Sequence, residues 1–261
     1  MTAITTKTAG RVVGGLFLSG FFLYGGGSFL VNAATDGAPP VPENATSLGQ
    51  LAAGAALMLA NSAAVVAIGA LAFRVLRDRD RRTASIYLAT RVVEGALLAL
   101  AALSTLFLVV LAQRSVETVN GSGPELGSLA RAAVENSEST YWVAMAVLGV
   151  GSVFFCRTLL TSRLLPRFLA VWGIAGYAFF AAGSALQLAG YEVGLLLSAP
   201  AGLFEVAVGC YLLIKGFDAA KRPAYGRSSA GSVCLPFVSD CHLESVSSTA
   251  SSPTWNSSAK S

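Results

Sequence analysis

Six stretches of the chain are each long and apolar enough to cross a lipid bilayer, and this constrains its fold more than any other feature. A helix rises about 1.5 Å per residue, so about 20 mostly apolar residues span about 30 Å of hydrocarbon. Val12 to Ala34 and Leu48 to Phe73 contain no charged residue. Ile86 to Ala112 carries Arg91 and Glu94, and Ser139 to Leu160 carries Arg157 near its end. Phe168 to Tyr191 is uncharged, while Val193 to Ile214 contains Pro200 and Glu205, with a tight turn around Glu192 between these last two. Inside a bilayer every backbone polar group must be satisfied within the protein, so such segments are helices. The expected fold is all-α, a multi-pass membrane protein of six transmembrane helices. Composition agrees, since charged residues make up 12% of the chain, about half of what a soluble domain carries.

Lys and Arg flanking a span are retained on the cytoplasmic side. Lys7 and Arg11 precede the first span; Arg74, Arg77, Arg79, Arg81 and Arg82 lie between the second and third. Arg157, Arg163 and Arg167 flank the turn after the fourth span, and Lys215, Lys221, Arg222 and Arg227 follow the sixth. The alternate loops hold only Arg114 and Arg131, so both termini are expected in the cytoplasm. Tyr141, Trp142 and Tyr191 then fall at outer ends and Tyr87, Trp172 and Tyr211 near inner ends, as aromatic belts require. Lys7, Arg11, Ala33 and Ala34 also fit a cleaved signal peptide, but the 23-residue apolar run from Val12 to Ala34 exceeds the roughly 7–15 residues of a signal core. The expected organisation is a cytoplasmic N-terminus (1–11), a transmembrane domain (12–217) and a disordered Ser-rich cytoplasmic tail (218–261).

Ala52, Ala56, Ala60 and Ala64 recur every fourth residue, a small-residue face that lets a neighbouring helix or a second copy of the chain approach. Gly14, Gly15, Gly25 to Gly27, Gly173, Gly176 and Gly183 suggest further close contacts or local flexibility. In the tail, twelve of the 36 residues from Gly226 onward are Ser, and no apolar period remains. Cys234, Cys241 and His242 match no zinc spacing.

His242 is the sole histidine, so the spans hold no imidazole for nucleophilic catalysis or metal binding, and no phosphate-binding loop is present. No cofactor is expected. The cations flank apolar spans rather than forming a basic face, which argues for the bilayer and against nucleic acid as partner. What remains is a candidate intramembrane polar site of Arg91, Glu94 and Glu205, with Arg157 as a fourth member able to snorkel to the surface. Arg91 and Glu94 share a helical face at three-residue spacing. Helical rise puts these three residues about 9, 13 and 15 Å deep, where an unpaired charge facing lipid costs a few kcal/mol, so they are expected to converge, with Glu205 pairing to Arg91. Asn61 and Gln187 are expected to donate interhelical hydrogen bonds.

Four blocks carry a resemblance: Arg91-Val-Val-Glu94-Gly-Ala-Leu-Leu, Leu164-Leu-Pro-Arg167-Phe-Leu-Ala-Val-Trp172-Gly, Ala199-Pro200-Ala-Gly-Leu-Phe-Glu205, and Leu-Ile-Lys215-Gly216-Phe217. In this order they resemble a bacterial membrane family known as domain of unknown function 4386, over roughly Arg11 to Phe217. The resemblance implies a six-helix protein of the bacterial inner membrane and brings no activity or catalytic residue with it. Three readings stand: a transporter-like protein, which needs a polar cavity around Glu94 and Glu205; a structural or regulatory partner protein with those charges buried and paired; and a lipid-acting intramembrane enzyme. Absence of a counterpart to Arg91-x-x-Glu94 in the second half weighs against an inverted-repeat transporter.

Overall fold

The computed structural model describes residues 6–35, 45–117 and 124–217. The tail, with Cys234, Cys241 and His242, lies outside them. Six helical spans are present among the described residues, each long and apolar enough to cross a membrane. The first is α1 (Thr6–Gly20), which runs through a π-helical turn (Phe21–Gly25) into α2 (Gly26–Thr35). The others are α3 (Ala45–Leu76), α4 (Arg81–Glu117), α5 (Pro124–Thr161), α6 (Arg167–Leu188) and α7 (Gly194–Lys215). Large apolar side chains point outward: Leu195 is 81% exposed and Phe22 80%, while Asn61, Ser62, Thr105 and Ser184 are buried. This inverts the pattern of a water-soluble protein and fits a lipid surround.

Spans adjacent in sequence pack against each other, and α1 closes the ring by packing on α7 and also on α3. Glycines make the closest seams. A Cβ on Gly14 would lie 2.6 Å from the carbonyl oxygen of Gly209, and Gly10 abuts the backbone at Gly216 and Phe217. Both ends of the bundle therefore lie on one side of it. Beyond the π-helical turn the first span changes neighbour: α2 packs on α3, where a Cβ on Gly27 would lie 2.9 Å from the Gly54 carbonyl oxygen. The turn supplies the reason, because one residue added to a helical turn rotates the following face by about 100°. The alanine row of α3 is not the seam: Ala56 and Ala60 are exposed and only Ala64 is buried. A four-residue step overshoots the 3.6-residue turn by about 40° each time, which carries the row off the contact face.

The expected loop from Gln113 to Glu138 is largely helical, since α4 reaches Glu117 and α5 starts at Pro124. Ala130 and Ala133 are buried with Leu51, Leu108, Leu111 and Ala112 in a small second core. Ser137 Oγ donates to the Ala101 carbonyl (3.0 Å) and Asn136 Nδ2 to Ser104 Oγ (2.8 Å). Polar exposed residues hide this amphipathic extension from hydropathy alone. At the start of α4, the Thr83 N–H and hydroxyl donate to Asp80 Oδ1 and Oδ2 (3.2 and 2.5 Å), an N-terminal cap. These bonds, the hydroxyl's foremost, hold the Asp80 carboxyl below its ordinary value.

Candidate functional site

All six spans contribute to one cavity of about 250 Å³ within the ring. One water needs only about 10–15 Å³ by this measure, so the space admits several waters or a small solute. Arg91 and Glu94 of α4 and Glu205 of α7 all line it, together with Asn61, Tyr24 and Tyr141. Arg157 does not join them: it is exposed on α5, as a snorkelling side chain would be.

The α4 wall is built around the guanidinium. Gly69 of α3 gives the Arg91 stem room, since a Cβ there would lie 2.6 Å from the Cβ of Arg91. Arg91 Nη1 donates to Glu94 Oε2 (3.0 Å) and Oε1 (3.3 Å), and Nε donates to Tyr87 Oη (2.8 Å). Both members of this pair are only 2% exposed. The guanidinium carbon lies 5.1 Å from the Tyr87 ring centroid and 5.5 Å from that of Phe17. Tyr87 in turn stacks on Phe155 of α5, centroids 4.1 Å apart. Arg91 Nη2 is buried and has no hydrogen-bond partner among the described residues.

The α7 wall is different. Glu205 is half-buried, and the Tyr177 hydroxyl of α6 donates to its Oε1 at 2.7 Å. Among the described residues it has no cation within ion-pair distance. The expected Arg91–Glu205 ion pair is therefore replaced by an Arg91–Glu94 pair, which the three-residue spacing on one helix favours over a partner across the cavity. Gly173 and Gly176 bring α6 against Phe204, Cys156 and Ala201, which sets Tyr177 facing Glu205. Phe21, in the π-helical turn, lines the cavity with part of its side chain and is 41% exposed.

Tyr87, Tyr141 and Tyr177 belong to the cavity and its supports, whereas the sequence placed Tyr87 and Tyr141 in membrane-interface belts. Tyr87 is 1% exposed, and Tyr141 stacks on Tyr24 at 4.8 Å. The four-residue spacing of Tyr87 and Arg91 was the available signal, because it puts both on one helical face. Nothing local in the sequence marks Tyr177. Gln187 accepts rather than donates: the Gly194 N–H reaches its Oε1 at 3.0 Å and is thereby capped at the start of α7.

Fold and cavity together define a six-span, membrane-embedded protein with charged side chains gathered in its interior. The chain belongs to the family described as Domain of unknown function (DUF4386), which matches residues 12–216. Neither the curated proteins nor the solved structures contain a match to it.

Proposed function

We propose that the protein is a transporter-like membrane protein that binds a polar or charged solute, or a proton, in its central cavity. The observation that carries this is Glu205: a carboxylate far from either end of its span, presented to a cavity shared by all six spans and not ion-paired among the described residues. A structural role would favour full pairing, because a buried unpaired charge costs several kcal/mol. Arg91 and Glu94 fit that structural role and hold the α4 wall. The unpartnered Nη2 of Arg91 adds support, since a buried donor left unmade costs about 1–3 kcal/mol and invites water or a solute acceptor. The arginine-rich turn between α3 and α4 favours a cytoplasmic position for the side carrying both ends of the bundle.

The test is whether Glu205 exchanges protons with bulk water. The groups close enough to influence it are Tyr177 on α6, Arg91, Glu94 and Tyr87 on α4, and Tyr141 and Cys156 on α5. Infrared difference spectra of the full chain in lipid nanodiscs across a pH series should show a carboxyl band that appears and disappears with pH. The band should be absent in Glu205→Gln. A pH-independent spectrum at this carboxyl would sink the reading and leave a purely structural cluster.

A further inference from the structure

We infer that the cavity takes a small organic ammonium ion with an apolar body, whose positive charge sits against Glu205; this rests on the proposed solute-binding role of the same cavity. Charge selects the ligand first. Arg91 pairs with Glu94 at 3.0 Å, which leaves Glu205, among the described residues, without a counter-charge at ion-pair distance. A cation supplies it. The walls select the ligand's shape and its chemistry. Phe21, Tyr24, Tyr141 and Phe180 line the same space from three different spans, and Leu98 and Met145 complete an apolar surround. Ring faces attract cations through their quadrupole, and alkylated ammonium groups are the cations that such aromatic surrounds recognise. A hydrated inorganic ion would have to give up water in a space whose lining is mostly apolar, whereas an alkylated ammonium carries little hydration to lose.

The probe is benzyltrimethylammonium, compared with neopentylbenzene, its neutral carbon isostere, on the full chain purified in detergent. Calorimetry should show saturable binding of the ammonium at one site per chain and at least tenfold weaker binding of the isostere. Glu205→Gln should weaken the ammonium at least tenfold while leaving the isostere unchanged. Equal binding of the two probes by the unmodified chain would overturn the inference without any variant, because the cavity would then select for apolar shape alone. Absence of ammonium binding would overturn it too. If Glu205 still titrates in the infrared series, only the ligand class has failed; if it is silent there as well, the solute-binding role fails with it.

Discussion

The two walls that bring carboxylates to the cavity are held in opposite ways. On α4, Glu94 is locked: Arg91 spans it and Tyr87 on the same helix, Gly69 makes room for the stem, and everything is buried. On α7, Glu205 has one neutral partner, Tyr177, and sits on a helix that contains Pro200 and that α1 grips closely only toward its far end, around Gly209 and Gly216. Beyond Phe21 the first span leaves α7 for α3, so the α7 wall beside the cavity loses that support. Intramembrane charges at similar depth can thus serve different ends. The α4 pair is satisfied within its own helix, whereas Glu205 keeps a single neutral hydrogen-bond partner from the neighbouring span.

The sharpest way to break this contrast is to remove each carboxylate in turn. Glu94→Ala leaves the Arg91 cation buried without a carboxylate, and it should destabilise the protein by about 3–5 kcal/mol in thermal unfolding of the full chain in detergent. Glu205→Gln keeps the size and still accepts from Tyr177, so it should change stability by no more than about 1 kcal/mol. Equal losses for the two variants would erase the distinction between the walls.

A second pair of variants probes how α7 is gripped. Gly14→Ala drives a methyl group into the backbone at Gly209 and Leu213, both 2.6 Å away, and should cost about 1–3 kcal/mol. Gly25→Ala, eleven residues further on, meets nothing within 4 Å and should be neutral or stabilising by up to about 1 kcal/mol through helix propensity. If both destabilise alike, the first span grips its neighbours evenly along its length. Tyr177→Phe removes one hydrogen bond to Glu205 and should cost about 0.5–1.5 kcal/mol in the same unfolding experiment, less than Gly14→Ala, with Glu94 unaffected.

The spans were legible because length and apolarity are one-dimensional properties, and Val12 to Ala34 or Leu48 to Phe73 need no neighbour to be recognised. Their ends were less so. The first turns of α5 bury Ala130 and Ala133 and expose Arg131 and Glu135, a periodic pattern that average hydropathy blurs into a loop. The charges Arg91, Glu94 and Glu205 were legible as a cluster from depth and the cost of burial. Which carboxylate would take the arginine was not, because depth says nothing about helix rotation or the order of spans around the ring. For the same reason a tyrosine near a span end, such as Tyr87 or Tyr141, reads equally well as an interface anchor or as a cavity residue.

The finest distinction is energetic coupling across the cavity. Arg91 and Glu94 touch, so a double-mutant cycle of Arg91→Met and Glu94→Gln should return a coupling within the roughly 0.5–3 kcal/mol typical of contacting residues. The cycle of Arg91→Met with Glu205→Gln crosses a cavity large enough for water, and its coupling should not exceed about 0.5 kcal/mol. Single and double variants unfolded by heat in one detergent give both numbers. The second cycle has an informative way to fail. Arg91 Nη2 is buried without a hydrogen-bond partner among the described residues, and Arg91 and Glu205 line the same cavity. A coupling as large as that of the α4 pair would mean that an Arg91–Glu205 contact forms in the membrane, that Glu205 is a structural partner after all, and that the α7 wall is locked like its counterpart.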